Sequence, residues 1–243
     1  MCRLLGVVFR EEFPTETLSE LRILSEIGRV AGEERRGHRD GWGVATFQDG
    51  RPYYVGRSTK PAYSDPSYNR AIDAVSRIPS PNILIAHVRA ASSGGVTLEN
   101  THPFIVDGLV VAHNGTVTGL PKDARGRTKG QTDSELIAIL VADRMKKNGS
   151  LASAVKWVVK EEIDKRTFTA AVIVASDGRT LVGYRDYSSP ERAWYYGLKI
   201  ARCEDSVVLL QEIAGGCDGE RSEVGKRELV TITSDLKVTT ETL

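Results

Sequence analysis

The sequence MCRLLGVVF, residues 1–9, determines how the rest of the chain is interpreted. Cys2 is followed by a short apolar run, which predicts a β-strand over residues 4–9. If Met1 is removed, Cys2 carries a thiol and a free α-amino group, so a nucleophile and a base share one residue. Their unperturbed pKa values are about 8.5 and roughly 7.7–8.0, both near neutral pH. The structural alternative is a small, buried, inert cysteine.

The composition is that of an ordinary globular protein. The 243 residues are 40% hydrophobic and 27% charged, and one large domain or two small ones both fit this length. The 33 Lys and Arg residues against 32 Asp and Glu leave a net charge of +1, so we expect neither nucleic acid nor a membrane surface as a partner. With no apolar run long enough to span a membrane and no signal peptide, a cytoplasmic protein is expected.

The cysteines and histidines do not form a recognisable ligand pattern. Cys2, Cys203 and Cys217 include no C-x-x-C pair, so neither a disulfide framework nor a zinc site is expected, and the last two are interpreted as structural. The four histidines lack metal-ligand spacing, and phosphate-binding glycine motifs are absent, so we predict no metal and no cofactor. The loop Lys122–Lys129 carries four cations and is interpreted as solvated surface.

Hydrophobic periodicity predicts strands, then two consecutive helices, then strands again. The predicted helices cover about 16–31, 68–78, 132–145 (opened by a Thr132–Glu135 capping box) and 150–158. The predicted strands cover 4–9, 41–47, 53–55, 83–88, 109–113, 168–175, 180–184, 194–200, 207–210, 229–233 and 236–239. This order favours two packed sheets with helices outside over a regular βαβ alternation.

Polar clusters interrupt these apolar elements at strand ends, where sites tend to be built. They cover residues 37–43, 87–95, 100–104, 113–116 and 132–135. Each has a structural explanation when taken singly. Asn114-Gly115 suits a hairpin turn, Asp133 suits the first turn of a helix, and Arg89 could point to solvent.

Together with Cys2, the clusters resemble the glutaminase domain of class II glutamine amidotransferases, within the N-terminal-nucleophile hydrolases. The matching pieces are Met-Cys-Arg at 1–3, His-x-Arg at 87–89 with Ser92 following, Asn-x-His-Pro at 100–103, His-Asn-Gly at 113–115 and Thr-Asp-x-Glu at 132–135. Their order is that of the family, and they span residues 1 to about 140. The resemblance implies an α+β fold: a four-layer αββα sandwich of two antiparallel sheets with helices on both outer faces, in one domain over residues 1–243.

The resemblance also implies the catalytic roles. Cys2 would be the nucleophile that attacks the side-chain amide of glutamine, with its own α-amine as base. Asn114, through its side-chain NH₂, and Gly115, through its backbone N–H, would form the oxyanion hole. An unprocessed Met1 would block the amine.

The same resemblance implies how the substrate is held. Arg89 would bind the α-carboxylate, with Ser92 as a supporting hydroxyl where many members have Thr. Asp133 would bind the α-ammonium, so that the two charges of a zwitterion each meet a fixed partner. His102 and the loop leading to Trp42 would line the pocket.

These roles predict a cysteine amidohydrolase that splits glutamine, or a γ-glutamyl amide, through a γ-glutamyl thioester. Family members usually carry a second domain that uses the ammonia. This chain has about the size of the glutaminase domain, so we expect an acceptor in a separate subunit or hydrolysis alone. Two alternatives stay open: an N-terminal-cysteine amidase for bile-salt or penicillin amides, in which Arg89 and Asp133 would be idle, and a catalytically silent regulatory or binding subunit.

Overall fold

The computed structural model describes residues 2–31, 36–121, 126–212 and 219–243. Within these ranges the strands form two sheets, and neighbouring strands are antiparallel throughout. The first sheet consists of β1 (Arg3–Phe9), β2 (Trp42–Gln48), β3 (Arg51–Ser58), β4 (Asn82–Val88), β9 (Lys199–Arg202), β10 (Ser206–Leu210) and β11 (Glu220–Glu223). Their spatial order is β11-β9-β10-β1-β4-β2-β3. The second sheet consists of β5 (Phe104–Val106), β6 (Leu109–Val117), β7 (Phe168–Ser176), β8 (Thr180–Tyr187), β12 (Glu228–Thr233) and β13 (Val238–Thr242). Their spatial order is β13-β12-β8-β7-β6-β5.

Helices cover the outer face of each sheet. They are α1 (Glu16–Ile27), α2 (Pro66–Val75), α3 (Asp133–Asn148) and α4 (Leu151–Val158), the last continued by a π-helical turn over Val159–Ile163. Apolar residues of α1 and α2 pack on the first sheet, and those of α3 and α4 pack on the second. A third apolar cluster fills the space between the sheets. The described residues therefore form the predicted αββα sandwich.

The central strand β1 is buried on both faces, which explains its continuous apolar run. Because side chains alternate along a strand, Leu4 and Val8 face the second sheet, whereas Leu5 and Val7 face the helices. Gly6 lies on the face toward the second sheet, where an added Cβ would lie 2.7 Å from Cγ1 of Val174. The two sheets thus approach each other closely at this glycine.

Several element boundaries differ from the sequence prediction. Helix α1 ends at Ile27 rather than residue 31, because Gly28 leaves the helical conformation. The predicted strand over 194–200 is wrong in its first part, because the N–H groups of Tyr195 and Tyr196 turn back to the carbonyl of Arg192 and only Lys199–Arg202 is a strand. The last strand is displaced to Val238–Thr242.

The short strands β5 and β11 were not predicted, for different reasons. The first has only three residues, and the second is exposed along its whole length, so neither has a hydrophobic period to detect. A hairpin around Asp49-Gly50 joins β2 to β3.

Cys203 is disulfide-bonded, which no Cys-x-x-Cys spacing in the sequence had indicated. Cys2 is a free thiol. Cys217 lies outside the described residues, as do Lys122–Arg125 of the predicted surface loop. In the parts of the chain that the structure describes, no helix is long and apolar enough to cross a membrane.

Candidate active site

Seven of the eight residues proposed from the sequence line one small pocket at the end of the sandwich where β1 begins and β4 ends. These seven are Cys2, Arg89, Ser92, His102, Asn114, Gly115 and Asp133. The alternation of side chains explains why strands of different sheets contribute to it. Cys2 has the same parity as Leu4, and Asn114 the same as Ala112, so both extend into the space between the sheets.

Cys2 is buried and its main chain is held on both sides. Its backbone nitrogen donates to Oδ1 of Asn114 at 3.1 Å, and its carbonyl accepts from Nδ2 of the same side chain at 2.8 Å. The Sγ atom donates to the carbonyl of Ala90 at 3.7 Å. In the β1–β4 register Arg3 pairs with Val88, which brings Cys2 level with Arg89. The long-range pairing of strands, not a local motif, therefore places the thiol.

Asn114 connects the two sheets at the site. Its Nδ2 donates both to the carbonyl of Cys2 and to Oε1 of Gln211, at 2.8 and 3.0 Å. Both amide hydrogens are thus engaged in this structure, and a role in an oxyanion hole requires that one of them be released.

Gly115 follows Asn114 at a β-bulge in the β6–β7 pair. Its φ of 148° lies in a region that disfavours side chains, and an added Cβ would lie 1.9 Å from the carbonyl oxygen of Ala170. Only glycine fits this position, so its presence has a geometric reason beyond turn propensity.

The guanidinium of Arg89 is buried and anchored by the loop that follows it. Nη1 donates to the carbonyl of Gly95 at 2.9 Å and Nη2 to that of Ser93 at 2.8 Å. Burial lowers the pKa of Arg89, while Cys2 and Asp40 oppose the shift electrostatically. These two bonds leave other N–H groups of the fork to meet a carboxylate.

The loop before β2 supports Arg89 from behind and does not line the pocket. The Arg89 carbonyl accepts from the backbone N–H of Asp40 at 2.8 Å, and its N–H donates to the carbonyl of Gly41 at 2.8 Å. The carboxylate of Asp40 accepts from the N–H of Ala91 at 2.8 Å. The loop therefore fixes the backbone of the strand end that carries the guanidinium.

Asp133 is the first residue of α3, where the positive end of the helix dipole favours an anion. Its Oδ2 accepts from the backbone N–H of Val117 at 2.7 Å, which ties the helix start to β6. The predicted capping box is only half formed. Thr132 does accept from the N–H of Glu135, but the Glu135 carboxylate reaches instead to the backbone N–H groups of residues 129 and 130.

Two histidines stack beside the pocket. The rings of His87 and His102 lie 4.2 Å apart with an interplanar angle of 20°, and His102 also meets Phe104 edge-on. Within the described residues, neither ring has a hydrogen-bond partner. Burial, reinforced by the neighbouring positive groups, lowers the pKa of both well below the usual range, so both rings are neutral at pH 7.

His113, in the predicted His-Asn-Gly cluster, also lines the pocket. Its Nε2 lies 3.4 Å from the carbonyl of Ala170 and its Nδ1 3.0 Å from Oγ of Ser134. Because a carbonyl only accepts, Nε2 carries the hydrogen and Ser134 donates to Nδ1. Burial lowers the pKa of His113, while Asp133 opposes the shift.

Trp42 does not line the pocket, which corrects the sequence expectation. Its indole is fully buried on the helix side of the first sheet, 4.8 Å edge-on from the ring of Tyr68, and its Nε1 donates to Asp65 at 3.1 Å. The neighbouring Gly43 faces the other way, where an added Cβ would meet the carbonyl of His102 at 2.3 Å. A difference of one position along a strand reverses the face.

Three residues at the site were not given roles from the sequence: Arg3, Tyr195 and Gln211. Arg3 is buried, pairs with Glu212 and donates to the Cys2 carbonyl at 3.0 Å. The hydroxyl of Tyr195 reaches the same carbonyl at 3.4 Å. The Met-Cys-Arg motif contained a signal for Arg3, but no sequence pattern pointed to the other two.

Among the described residues, no group of three or more His, Cys, Asp or Glu could hold a metal ion.

Comparison with known proteins identifies the family. The model of the family "Glutamine amidotransferases class-II" matches residues 1–199. The chain belongs to the class II glutamine amidotransferases. This amidotransferase is 30% identical to the Escherichia coli K12 protein YafJ over 195 residues, which cover 76% of this chain and 72% of YafJ. It is 28% identical to the glutamine–fructose-6-phosphate aminotransferase of Brucella abortus over 207 residues, which cover 81% of this chain but only 30% of that enzyme.

A solved structure confirms the fold of this class II amidotransferase. The glutamine phosphoribosylpyrophosphate amidotransferase of B. subtilis superposes with a TM-score of 0.68 at 18% identity, covering 99% of this chain and 49% of that one. The αββα sandwich implied by the sequence resemblance is therefore the fold of this protein.

Proposed function

We propose that this amidotransferase hydrolyses the side-chain amide of glutamine, or of a γ-glutamyl compound, with Cys2 as nucleophile once Met1 is removed. One observation carries the proposal: the Cys2 thiol shares a pocket with a buried guanidinium and with a carboxylate at a helix N-terminus, those of Arg89 and Asp133. An amino-acid zwitterion requires one fixed cation and one fixed anion, and these two residues supply them. Ser92 adds a hydroxyl at the pocket rim.

In the first half of the reaction, the neutral α-amine of Cys2 takes the proton of its own thiol, and the thiolate attacks the amide carbon. The carbonyl electrons move to oxygen, and the resulting oxyanion meets the N–H of Gly115 and one Nδ2 hydrogen of Asn114. The C–N bond then breaks as the α-ammonium returns its proton to the nitrogen. Ammonia or an amine leaves, and a γ-glutamyl thioester remains on Cys2.

In the second half, water attacks the thioester and gives a proton to the same α-amine. The C–S bond breaks, the sulfur regains its proton, and glutamate leaves the site. The neutral rings of His102 and His113 close one side of the pocket. The α-amine is the only base that this sequence of steps requires.

The test is covalent labelling of Met1-free protein with a glutamine analogue that carries a diazo-ketone. We expect intact mass to increase by one adduct, peptide mapping to place it on the N-terminal peptide, and glutaminase activity to disappear in proportion. Glutamine should protect against labelling. An adduct at any residue other than Cys2, with activity retained, would contradict the proposal, as would full activity in protein that retains Met1.

The same protein distinguishes the two alternatives. Turnover of N-acyl amides of the bile-salt or penicillin type, with none of glutamine, would indicate an amidase that does not use Arg89 and Asp133. Absence of turnover with a panel of γ-glutamyl amides and with N-acyl amides would indicate a silent regulatory or binding subunit.

The ratio of ammonia to glutamate released shows what becomes of the amide nitrogen. The Brucella abortus relative is named as an aminotransferase for fructose 6-phosphate, and this chain matches less than a third of it. We propose that any acceptor chemistry lies outside the αββα sandwich. Equal release of glutamate and ammonia by the purified protein would show that the amide step needs no acceptor.

A further inference from the structure

We infer that Gln211 is a positioning residue for this reaction: it fixes the direction of the Asn114 amide and thereby the nitrogen of Cys2. The inference rests on the proposed function and adds a residue to which no sequence motif pointed. Gln211 directly follows β10, is fully buried, and lies beside β1, where its backbone N–H donates to the carbonyl of Leu4 at 3.3 Å.

The direction of the Gln211 amide is set by a main-chain group. Its Nε2 donates to the carbonyl of Gly197 at 3.0 Å. Because a carbonyl oxygen only accepts, the NH₂ end of Gln211 must face Gly197, and Oε1 must face the other way. That oxygen lies 3.0 Å from Nδ2 of Asn114.

The orientation of the Gln211 amide sets that of the Asn114 amide, because a donor must again face an acceptor. Oε1 of Gln211 accepts only, so the NH₂ end of Asn114 faces it and Oδ1 is left toward the nitrogen of Cys2, at 3.1 Å. A reversed Asn114 amide would set Oδ1 against two acceptors, Oε1 of Gln211 and the Cys2 carbonyl. The chain of bonds from Gly197 therefore assigns each end of the Asn114 amide.

This arrangement matters at two points of the reaction. Oδ1 of Asn114 accepts from the backbone nitrogen of Cys2. After removal of Met1 the same bond would limit rotation of the free amine about its N–Cα bond. When the oxyanion forms, one Nδ2 hydrogen must be released. The Cys2 carbonyl has further donors in Arg3 and Tyr195, whereas among the described residues Oε1 of Gln211 has Asn114 alone. We therefore expect the bond to Cys2 to be the one that opens, while the bond to Gln211 holds the amide in place.

The experiment compares Gln211→Met with Leu209→Ala in Met1-free protein. Methionine has nearly the same length as glutamine but makes neither hydrogen bond. Leu209 is a buried residue of β10, the strand that Gln211 follows, and its side chain makes no hydrogen bonds. For Gln211→Met we expect kcat to fall about 10- to 100-fold. KM for glutamine should stay within twofold, because Arg89 and Asp133 are unchanged. Leu209→Ala should lower the free energy of unfolding and leave kcat within twofold.

A second variant, Gln211→Glu, tests direction rather than volume. Its carboxylate keeps an acceptor toward Asn114 but cannot donate to Gly197, whereas its protonated form can do both. The neighbouring charged groups, Arg3 and Glu212, pair with each other and are common to both proteins. We expect the kcat ratio of variant to wild type to rise as the pH is lowered from 8 to 6. This variant also serves if Gln211→Met does not fold.

The rate of Cys2 alkylation by iodoacetamide separates this inference from the proposed function. If wild-type protein turns over no glutamine, the proposed function fails, yet Gln211→Met should still change the pH profile of alkylation. If glutamine is turned over and kcat, KM and the alkylation profile of Gln211→Met match wild type, the inference is overturned. Equal losses in Gln211→Met and Leu209→Ala would overturn it as well.

Discussion

At the residue scale, the two charged groups proposed to bind the substrate are already held in place by backbone groups. The Arg89 fork is fixed by two backbone carbonyls, and the Asp133 carboxylate by the N–H of Val117. Each charged group uses part of its bonding capacity for its own placement and keeps the rest for a ligand. Such preorganisation lowers the entropy lost on binding.

Arg89→Lys tests the fork at this scale. Lysine keeps the charge but is a point charge, so it cannot bond two carbonyls and a carboxylate in one plane. Hydrogen bonds to charged groups contribute about 1.5–3 kcal/mol, so KM for glutamine should rise about 10- to 100-fold. Steady-state kinetics measures the change, with the exposed Arg51→Lys as control. An unchanged KM would exclude Arg89 as the carboxylate partner.

Asn114→Ala tests the oxyanion role. The variant removes a donor to the developing charge, so kcat should fall about 10²–10³-fold while the circular dichroism spectrum is retained. Asn114→Asp keeps an oxygen toward the Cys2 nitrogen but replaces the NH₂ group with a charged carboxylate oxygen that cannot donate, so its kcat should fall at least as far as that of Asn114→Ala. A kcat close to wild type in Asn114→Ala would remove this residue from the oxyanion hole.

At the element scale, the segment that leads into α3 is held by one carboxylate. Glu135 is buried and accepts from the backbone N–H groups of Lys129 and Gly130, at 2.9 and 2.8 Å. It thus orders the approach to the helix whose first residue is Asp133. The element that presents the proposed ammonium partner therefore depends on a residue half a turn further on.

Glu135→Ala leaves those two N–H groups without an acceptor. Hydrogen bonds to charged groups contribute about 1.5–3 kcal/mol, so urea denaturation should show a free energy of unfolding lower by about that amount. KM for glutamine should rise as well, because Asp133 loses its support. Glu161→Ala, at an exposed pair with Lys165, should change neither quantity.

At the scale of the whole molecule, the two sheets meet at a glycine contact. Gly6→Ala would place a methyl group 2.7 Å from Val174 and 3.1 Å from Leu181. Overpacking of a core costs typically about 1–3 kcal/mol, and we expect that loss in the free energy of unfolding. Gly126→Ala, where an added Cβ has open space, is the matched control. Equal stability of the two variants would refute a tight contact at Gly6.

The buried histidines make the stability of the whole molecule depend on pH. Burial lowers the pKa of His87 and His102 in the folded state, whereas the unfolded values lie near 6.5. Below about pH 6.5 the unfolded chain binds protons that the folded rings do not, so stability falls as the pH falls. Each ring contributes up to about 1.4 kcal/mol per pH unit.

Urea midpoints at pH 7.5 and 5.5 measure this loss. His102→Phe keeps a stacking ring without a titrating group, so its midpoint should change less between the two pH values than that of wild type. A variant as sensitive to acid as wild type would show that His102 is not a source of the effect.

The sequence by itself determined the element types, the layered architecture and most of the pocket. Local periodicity gives the strands and helices because burial on one or both faces leaves a pattern within a few residues. The order of the motifs around Cys2, Arg89 and Asp133 indicated the family. Seven of the eight residues that the sequence proposed for the site line the same pocket.

Only the tertiary structure decided the orientation of Trp42, the direction of the Asn114 amide and the hydrogen bond between Asn114 and Gln211. Cys2 and Asn114 are 112 residues apart, and Asn114 and Gln211 are 97 apart. Which acceptor faces which donor across such distances depends on strand pairing and sheet packing, and neither leaves a local period in the chain. The sequence could therefore name the groups that are proposed to react, whereas the hydrogen bonds that orient them form only when the two sheets come together.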